Sequence, residues 1–314
     1  MKKEISRQKF LRQMALLSGG VTWGMGSISG KAFGAIPYAS SARGKVLIII
    51  QLNGGNDGLN TIIPAESGEL ASGLSGEGRM AEPENIVSFL EADIASKLPL
   101  KGKKILITAG PTYEAIDPVR FIGNHSSGKM GYDIASCAAQ LGASVILVSG
   151  PSHCKINHSA IQLISVVSAQ EMLDECQRYF PQVDVAIAAA AVADYRPKTV
   201  ASQKIKKSAA EFAIELEKTT DILAAMGAAK KSQFLIGFAL ETENEIENAK
   251  LKIQKKNLDL IVLNSLQDEG AGFRKETNKV TFIDKDFTIE PMELKSKEAV
   301  ANDILTKVIA HFHA

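Results

Sequence analysis

The sequence predicts a three-layer α/β protein of Rossmann-like type, with a mostly parallel sheet, helices on both faces and a C-terminal β-hairpin. Two observations carry the prediction. Uninterrupted apolar runs recur at 105–108, 145–148, 161–166, 183–190, 234–238 and 260–263, the pattern of strands covered on both faces rather than half exposed. Stretches of helical period fall between them, at 131–141, 169–180, 221–231 and 244–256, so strand and helix alternate as βαβ units require. A hairpin at 279–283 and 287–290, turning about 284–286, and a closing helix at 296–312 complete the expected order.

Upstream of that pattern the chain changes character. Residues 1–12 are basic and 14–28 apolar, with Gly34 and Ala35 beyond, which is the shape of a signal peptide. The alternative is a cytosolic tail, and the glycine-interrupted run is too short to span a membrane. Residues 45–52 (KVLIIIQL) read as a buried strand that ends in the turn-forming Asn53, Gly54, Gly55, Asn56, Asp57 and Gly58. A strand with no domain after it buries no core, so 1–64 is expected to be a poorly ordered appendage. Residues 65–97, with glycines at 68, 73, 76 and 78, read as a mobile loop and linker. The regular α/β pattern then occupies 98–314.

Composition narrows the function. The 36 basic and 35 acidic residues leave a net charge of +1, so nothing in the bulk electrostatics suggests a nucleic-acid or membrane-surface binder, and any anion site must be local. Cys137, Cys154 and Cys176 form no C-x-x-C pair, which argues against a disulfide framework or zinc site and fits a reducing, cytoplasmic setting, with export left open by the leader. His153, Cys154 and His158 supply too few soft donors for a metal site and read as a surface loop.

In such sheets ligands bind beyond the carboxyl ends of the strands, so the loops after each apolar run carry the functional reading. The first holds Asp117, Pro118, Val119, Arg120, Phe121, Ile122, Gly123, Asn124, His125, Ser126, Ser127, Gly128, Lys129 and Met130, whose small residues let backbone N–H groups approach an anion at a helix start. Residues 123–129 also match G-x-x-x-x-G-K, but Met130 stands where a P-loop needs Ser or Thr and the segment lies far from its strand. In the second loop, Ala188, Ala189 and Ala190 allow a planar base to lie against backbone, while Asp194, Lys204, Lys206 and Lys207 suit a metal-bound polyphosphate. A third loop ends in Thr220 and Asp221, for which an ordinary helix N-cap role suffices. Lys252 and Lys256 stand four apart and share a helix face, so two ammonium groups can converge on one triphosphate. Together with Lys250 and Lys255 they can equally form a solvated basic stripe.

In order along the chain, D-P-V-R-F-I-G-N-H-S-S-G-K-M-G, A-A-A-A-V-A-D-Y-R-P, K-I-K-K, G-F-A-L-E-T and K-N-L-D-L-I-V-L-N resemble phosphopantothenoylcysteine synthetase, from Leu98 to the end. The resemblance implies a phosphopantothenate–cysteine ligase of coenzyme A biosynthesis, an acid–amino-acid ligase working as a homodimer. CTP would activate 4′-phosphopantothenate as an acyl-cytidylate, and cysteine would then displace CMP. Carried over residue by residue, Asn124 would hold the acyl intermediate, Arg120 would contact an anion nearby, and Lys204 would neutralise phosphate charge. Ala188, Ala189, Ala190, Asp194, Lys204, Thr220, Asp221, Ile222, Leu223, Phe238, Lys252 and Lys256 would form the nucleotide pocket, with Asp194 also engaging Mg2+. Residues 66–83 resemble the substrate-covering flap of the decarboxylase that precedes the synthetase in bifunctional bacterial enzymes. Nothing else of that decarboxylase is present, so neither its activity nor a bound flavin is expected. Ser6 to Arg12 resembles a twin-arginine export signal with Gln8 in place of the second arginine. With the strand ending in G-G-N-D-G it resembles a secreted family, and that likeness stops near Pro64.

Two other readings remain at this stage. A dinucleotide oxidoreductase fits the fold class, although ILITAGPT lacks the G-x-G-x-x-G fingerprint. An inactive exported fusion protein fits the leader.

Overall fold

The strand edge that matters for function is built by an eight-stranded sheet. The computed structural model describes residues 66–69, 75–79, 81–206, 213–241, 243–265 and 276–313. The leader, the 45–52 strand and Lys207 lie outside the described residues. The chain divides into two units, Met1–Ser96 and Lys97–Ala314.

In the first unit, β1 (Glu66–Glu69) and β2 (Ser75–Arg79) pair antiparallel, and α1 spans Pro83–Ser96. This corrects the expectation of a loop and linker. Glycines do not prevent ladder formation when the pairing rests on backbone hydrogen bonds, and Pro83 at the helix start with Ile86 and Leu90 on one face is a helix signal that composition obscured.

The second unit follows the predicted alternation closely. Its elements are β3 (Lys104–Ala109), β4 (Tyr113–Ala115), β5 (Phe121–Gly123), α2 (Lys129–Gln140), β6 (Ser144–Ser149), β7 (Ile161–Ser165), α3 (Ala169–Tyr179) and β8 (Val185–Ala188). They continue with β9 (Tyr195–Pro197), β10 (Leu216–Lys218), α4 (Ile222–Ala229), β11 (Phe234–Glu241), α5 (Glu245–Lys256) and β12 (Leu260–Ser265). The chain closes with β13 (Thr277–Asn278), β14 (Val280–Asp284), β15 (Ile289–Pro291), β16 (Lys295–Ser296) and α6 (Lys297–His313).

The main sheet has the order β15-β14-β12-β11-β8-β3-β6-β7. The pairs from β12 through β7 are parallel, and the β14–β15 hairpin adds antiparallel to β12. Two apolar layers sandwich it. On one face, Ile134, Ala135 and Ala138 of α2 and Val300, Ile304 and Val308 of α6 pack against Ile105, Ile107 and Val262. On the other, Met172 of α3, Met226 of α4 and Ile253 of α5 pack against Leu106, Leu235 and Ile261. The alternation of Ile105, Leu106 and Ile107 between the two layers is the period-2 consequence of a strand buried on both sides.

Close helix–sheet packing depends on particular glycines. A Cβ on Gly131 would lie 2.5 Å from that of Ala109, so α2 rests directly on the end of β3. One on Gly227 would lie 1.9 Å from the Lys256 carbonyl, so α4 and α5 touch backbone to backbone. The 183–190 strand is shorter than expected: Phe180–Gln182 forms a 3-10 turn, and past Ala188 the chain leaves the sheet. The small pairs β4–β5 and β9–β10 were not foreseen, because three-residue strands leave no readable period. No described helix is long and apolar enough to cross a membrane.

Candidate active site

From β3 the chain runs outward to β6 and β7 and then returns to β8 on the other side of β3. At such a reversal the loops diverge and leave a crevice at the carboxyl ends of the strands. Here the two loops are laced together. Ala189 N–H donates to the Thr108 carbonyl (3.2 Å) and Ala191 N–H to that of Gly110 (2.8 Å). Ala190 N–H donates to Thr108 Oγ1 (3.2 Å) and Ala193 N–H to Thr112 Oγ1 (3.0 Å). Asn124 closes the outer end, its Nδ2 donating to the carbonyls of Ala191 (2.9 Å) and Val192 (3.1 Å). Ala188, Ala189 and Ala190 are half-buried and carry nothing beyond Cβ, so they leave a flat shelf of backbone in the crevice.

Arg120 is held by its neighbours. The Asp117 carboxylate, 2% exposed, accepts the N–H groups of Val119 and Arg120 (both 2.8 Å) and of Ile205 (3.1 Å), and pairs with the Arg120 guanidinium. Arg120 also donates to the Ile205 carbonyl (2.8 Å). The guanidinium holds the Asp117 carboxyl far below the usual carboxylate range, overcoming burial with the help of the three backbone donors. Both backbone polar groups of Ile205 are thereby fixed, and the preceding Lys204, exposed to solvent, is anchored at its main chain.

The remaining predicted residues lie along the same edge, toward the α4–α5 face. Asp194 is exposed, and among the described residues its carboxylate makes no hydrogen bond or ion pair; its carbonyl accepts Thr219 N–H (3.0 Å). Thr220 is exposed, and Asp221 caps α4 by accepting Ala224 N–H (2.9 Å), with Ile222 buried and Leu223 half-buried behind it. Lys256 pairs with Asp221 (2.8 Å) and Lys252 with Glu241. Burial alone would raise the Asp221 carboxyl, but Lys256 and the helix N–H groups outweigh it and hold it low. The two lysines do share a face, each directed at a carboxylate. Lys250 pairs separately with Glu247 (2.9 Å).

A cavity of about 170 Å³ opens where α2 begins, bounded by Ala189, Ala190 and Phe238 from the predicted set. Gly128 takes a left-handed φ of 82° to start α2, and Lys129 pairs with Asp133 (3.4 Å) and Glu276 (3.5 Å). The far wall comes from Asn264, Asn278 and Lys297, which sequence reasoning missed. Asn278 and Lys297 sit beyond the last recognisable motif, and only the packing of α6 on α2 brings them to the edge. The excursion through β4 and β5 also separates β3 from α2, unlike the tight strand-to-helix turn of a P-loop.

For a divalent cation the donor set is sparse. No cluster of three or more His, Cys, Asp or Glu that could hold a metal occurs among the described residues. A lone exposed carboxylate such as Asp194 fits Mg2+ only if substrate phosphates supply further ligands, which is the usual mode for that ion.

The model of the DNA/pantothenate metabolism flavoprotein C-terminal domain matches residues 100–312. The chain belongs to this family. Among curated relatives of this family domain, a protein from an unknown prokaryotic organism called cysteine/cysteine sulfinic acid decarboxylase is 51% identical over 259 residues, 81% of this chain and 72% of that protein. The coenzyme A biosynthesis bifunctional protein CoaBC of Bacillus subtilis (strain 168) is 46% identical over 256 residues, 81% of this chain and 63% of that protein, so the chain spans less than two thirds of it. Only 215 residues lie from 100 to the end of the chain, so both alignments continue upstream of the family domain.

Among solved structures, the C-terminal domain of a CoaBC is 45% identical, covers 69% of this chain and 99% of itself, and superposes with a TM-score of 0.59. A Cab2 variant in complex with phosphopantothenate-cysteine shares the fold at 17% identity and a TM-score of 0.53, covering 74% of this chain and 94% of its own. The family domain is thus homologous to the synthetase half of CoaBC, and its three-layer architecture is the one the sequence predicted.

Proposed function

We propose that the chain is a CTP-dependent phosphopantothenate–cysteine ligase. A carboxylate oxygen of 4′-phosphopantothenate attacks the α-phosphorus of CTP and pyrophosphate leaves. The cysteine nitrogen then bonds to the acyl carbon, the bond from that carbon to the phosphate oxygen breaks, CMP departs with the electron pair, and the nitrogen loses a proton. The observation that carries this reading is the crevice between β3 and β8, where Asn124 is hydrogen-bonded to the loop that carries the bare alanine shelf and the exposed Asp194.

In this reading cytosine lies on the backbone of Ala188, Ala189 and Ala190, and the nucleotide extends toward Thr220, Asp221, Ile222, Leu223 and Phe238. Lys252 and Lys256 exchange their carboxylate partners for phosphate, which costs little because such pairs at a partly exposed surface are weak. Lys204 neutralises charge that develops as pyrophosphate leaves, and the Asp117–Arg120 grip on Ile205 holds it in place for that step. Arg120 keeps a half-exposed guanidinium face toward an anion. Asp194, with phosphate oxygens, would hold Mg2+, whose contribution is electrostatic neutralisation of the triphosphate. No flavin has a role in this chemistry.

A homodimer in the cytoplasm belongs to the same proposal. Support for pairing comes from Val119, Phe121, Tyr195, Val200 and Leu216, all exposed apolar residues on or beside the β4–β5 and β9–β10 pairs, a cluster that soluble monomers rarely leave bare. The decarboxylase name of one relative does not favour a second reading, because the same segment is shared at 46% identity with CoaBC. A dinucleotide oxidoreductase is not favoured either, since the β3 loop makes a two-strand excursion instead of a tight glycine turn into α2. The test is to incubate full-length protein, and protein lacking residues 1–64, with Mg2+, 4′-phosphopantothenate, cysteine and either CTP or ATP. Pyrophosphate and ligated product with CTP are expected. Product from the shortened chain alone would make the leader inhibitory, and no product from both would overturn the assignment.

A further inference from the structure

Past Ala188 the chain leaves the sheet, yet hydrogen bonds from the N–H groups of residues 189, 190 and 191 still lace it to the end of β3. Two of these join backbone to backbone, Ala189 N–H to the Thr108 carbonyl and Ala191 N–H to that of Gly110, and would form with almost any side chains at those positions. The bond between them depends on a side chain, because Ala190 N–H donates to Thr108 Oγ1 (3.2 Å). Thr108 is 3% exposed, so solvent offers no ready substitute for its hydroxyl.

A trans peptide points its carbonyl opposite to its N–H, and no described peptide bond is cis. Ala190 N–H is aimed at β3, so the Ala189 carbonyl is turned away from it. β8 lies between β3 and β11, and that carbonyl therefore faces the β11 side, where Ala189, Ala190 and Phe238 bound one space. The bond from Ala191 N–H to Gly110 turns the Ala190 carbonyl the same way. Among the described residues neither carbonyl accepts a hydrogen bond, whereas the next two, of Ala191 and Val192, are taken by Asn124. The shelf thus offers two acceptors, with the N–H between them already spent on Thr108.

Such a surface suits a base edge that donates. The amino group of cytosine does so, while the oxygen at the same ring position of uracil would meet a carbonyl with its lone pairs. Resting on the ligase reading above, we propose that Thr108 is a positioning residue for base discrimination: its hydroxyl fixes the tilt of the 189–190 peptide and so aims the Ala189 carbonyl at the pyrimidine amino group. Thr108 itself touches no substrate. An aminopyrimidine triphosphate is accepted and an oxopyrimidine one refused, because an acceptor held against another acceptor is left unpaired on binding.

Thr108→Val in the full-length chain removes the hydroxyl at nearly constant shape, and Thr108→Ser keeps the hydroxyl if valine disturbs folding. The unaltered protein should favour CTP over UTP by about a hundredfold or more in kcat/KM, and Thr108→Val should narrow that ratio by about tenfold through a higher KM for CTP, with the KM for cysteine nearly unchanged. Thr108→Ser should retain most of the ratio. Thr112→Val loses a bond to Ala193 N–H, beside the Val192 carbonyl that Asn124 already holds, so it should narrow the ratio far less than Thr108→Val does. Without any nucleotide, amide exchange read by NMR should quicken at Ala190 in Thr108→Val and not in Thr108→Ser. Equal use of CTP and UTP by the unaltered protein, a ratio unmoved by Thr108→Val, or a ratio narrowed as much by Thr108→Ser or Thr112→Val would overturn the role of Thr108 while leaving the ligase reading in place. Absence of pyrophosphate with every nucleotide from the unaltered protein would remove that reading and the discrimination with it, even if amide exchange showed the shelf to be held.

Discussion

The crevice between β3 and β8 and the cavity between α2 and α6 lie on the same carboxyl edge of one sheet, but they are made differently. In the crevice nearly every polar group is engaged: Asn124, Thr108, Thr112 and Asp117 all bind backbone, and the open feature is a bare alanine shelf. In the cavity wall, Asn278 Oδ1 and the Lys297 ammonium are buried without close partners among the described residues. The difference teaches that a rigid platform is built where side chains spend their polar atoms on backbone, whereas polar atoms stay unspent where distant segments meet through helix packing. The same contrast separates the lysines, since Lys252 and Lys256 already pair with carboxylates on a partly exposed face, while buried Lys297 forms no ion pair among the described residues.

The sharpest way to break the contrast lies within the crevice. Lys204→Gln should lower the rate of pyrophosphate formation about 10²–10³-fold, the usual cost of losing one charge-stabilising group. Asn124→Asp should instead release pyrophosphate and stall before product, with turnover down about 10²-fold. Quenched-flow assays of both steps separate the two; equal defects in both steps would merge the roles assigned to these residues. Next in size, Lys252→Ala and Lys256→Ala should each raise the nucleotide KM about tenfold and shift folding stability by about 1 kcal/mol or less, as expected for partly exposed pairs. A stability loss without a KM change would return both lysines to the solvated stripe.

Much of this architecture was legible because buried parallel strands write continuous apolar runs, and each of the six runs between 105 and 263 became a strand of the main sheet. Asp221 was readable as an N-cap, and it caps α4 while also pairing with Lys256. Three things were not legible. The β1–β2 pair and α1 hid behind glycines and a proline. The clamp of Asp117 on Ile205 joins residues 88 apart, so no local pattern reveals it. Asn278 and Lys297 gain meaning only from the burial that α6 imposes by packing on α2. The site residues taken from the family resemblance do share one edge, but the geometry gives Arg120 and Asn124 structural duties that no motif conveys.

A smaller effect sharpens the clamp. A carboxyl whose native pKa lies below its unfolded value of about 3.9 stabilises the fold above that value and loses the contribution as pH falls toward the native pKa. Asp117 is such a group. Asp117→Asn should therefore lower the denaturation midpoint at pH 7 and narrow the gap to the unaltered protein as pH drops below about 4. An equal gap at both pH values would remove the charge from the explanation. The smallest expected signal is chemical: burial pushes the Cys137 thiol up to about 11 and Cys176 to about 12, so at pH 8 only the half-buried Cys154 should be alkylated by iodoacetamide at an appreciable rate. Mass spectrometry of labelled peptides reads this directly.

The central claim is that activation of the carboxylate precedes amide formation in the crevice. The most direct measurement mixes the full-length protein with Mg2+, 4′-phosphopantothenate and CTP while withholding cysteine. The account predicts a burst of about one pyrophosphate per site, with no steady release until cysteine is added. Pyrophosphate that appears only when cysteine is present, at every nucleotide tested, would contradict it.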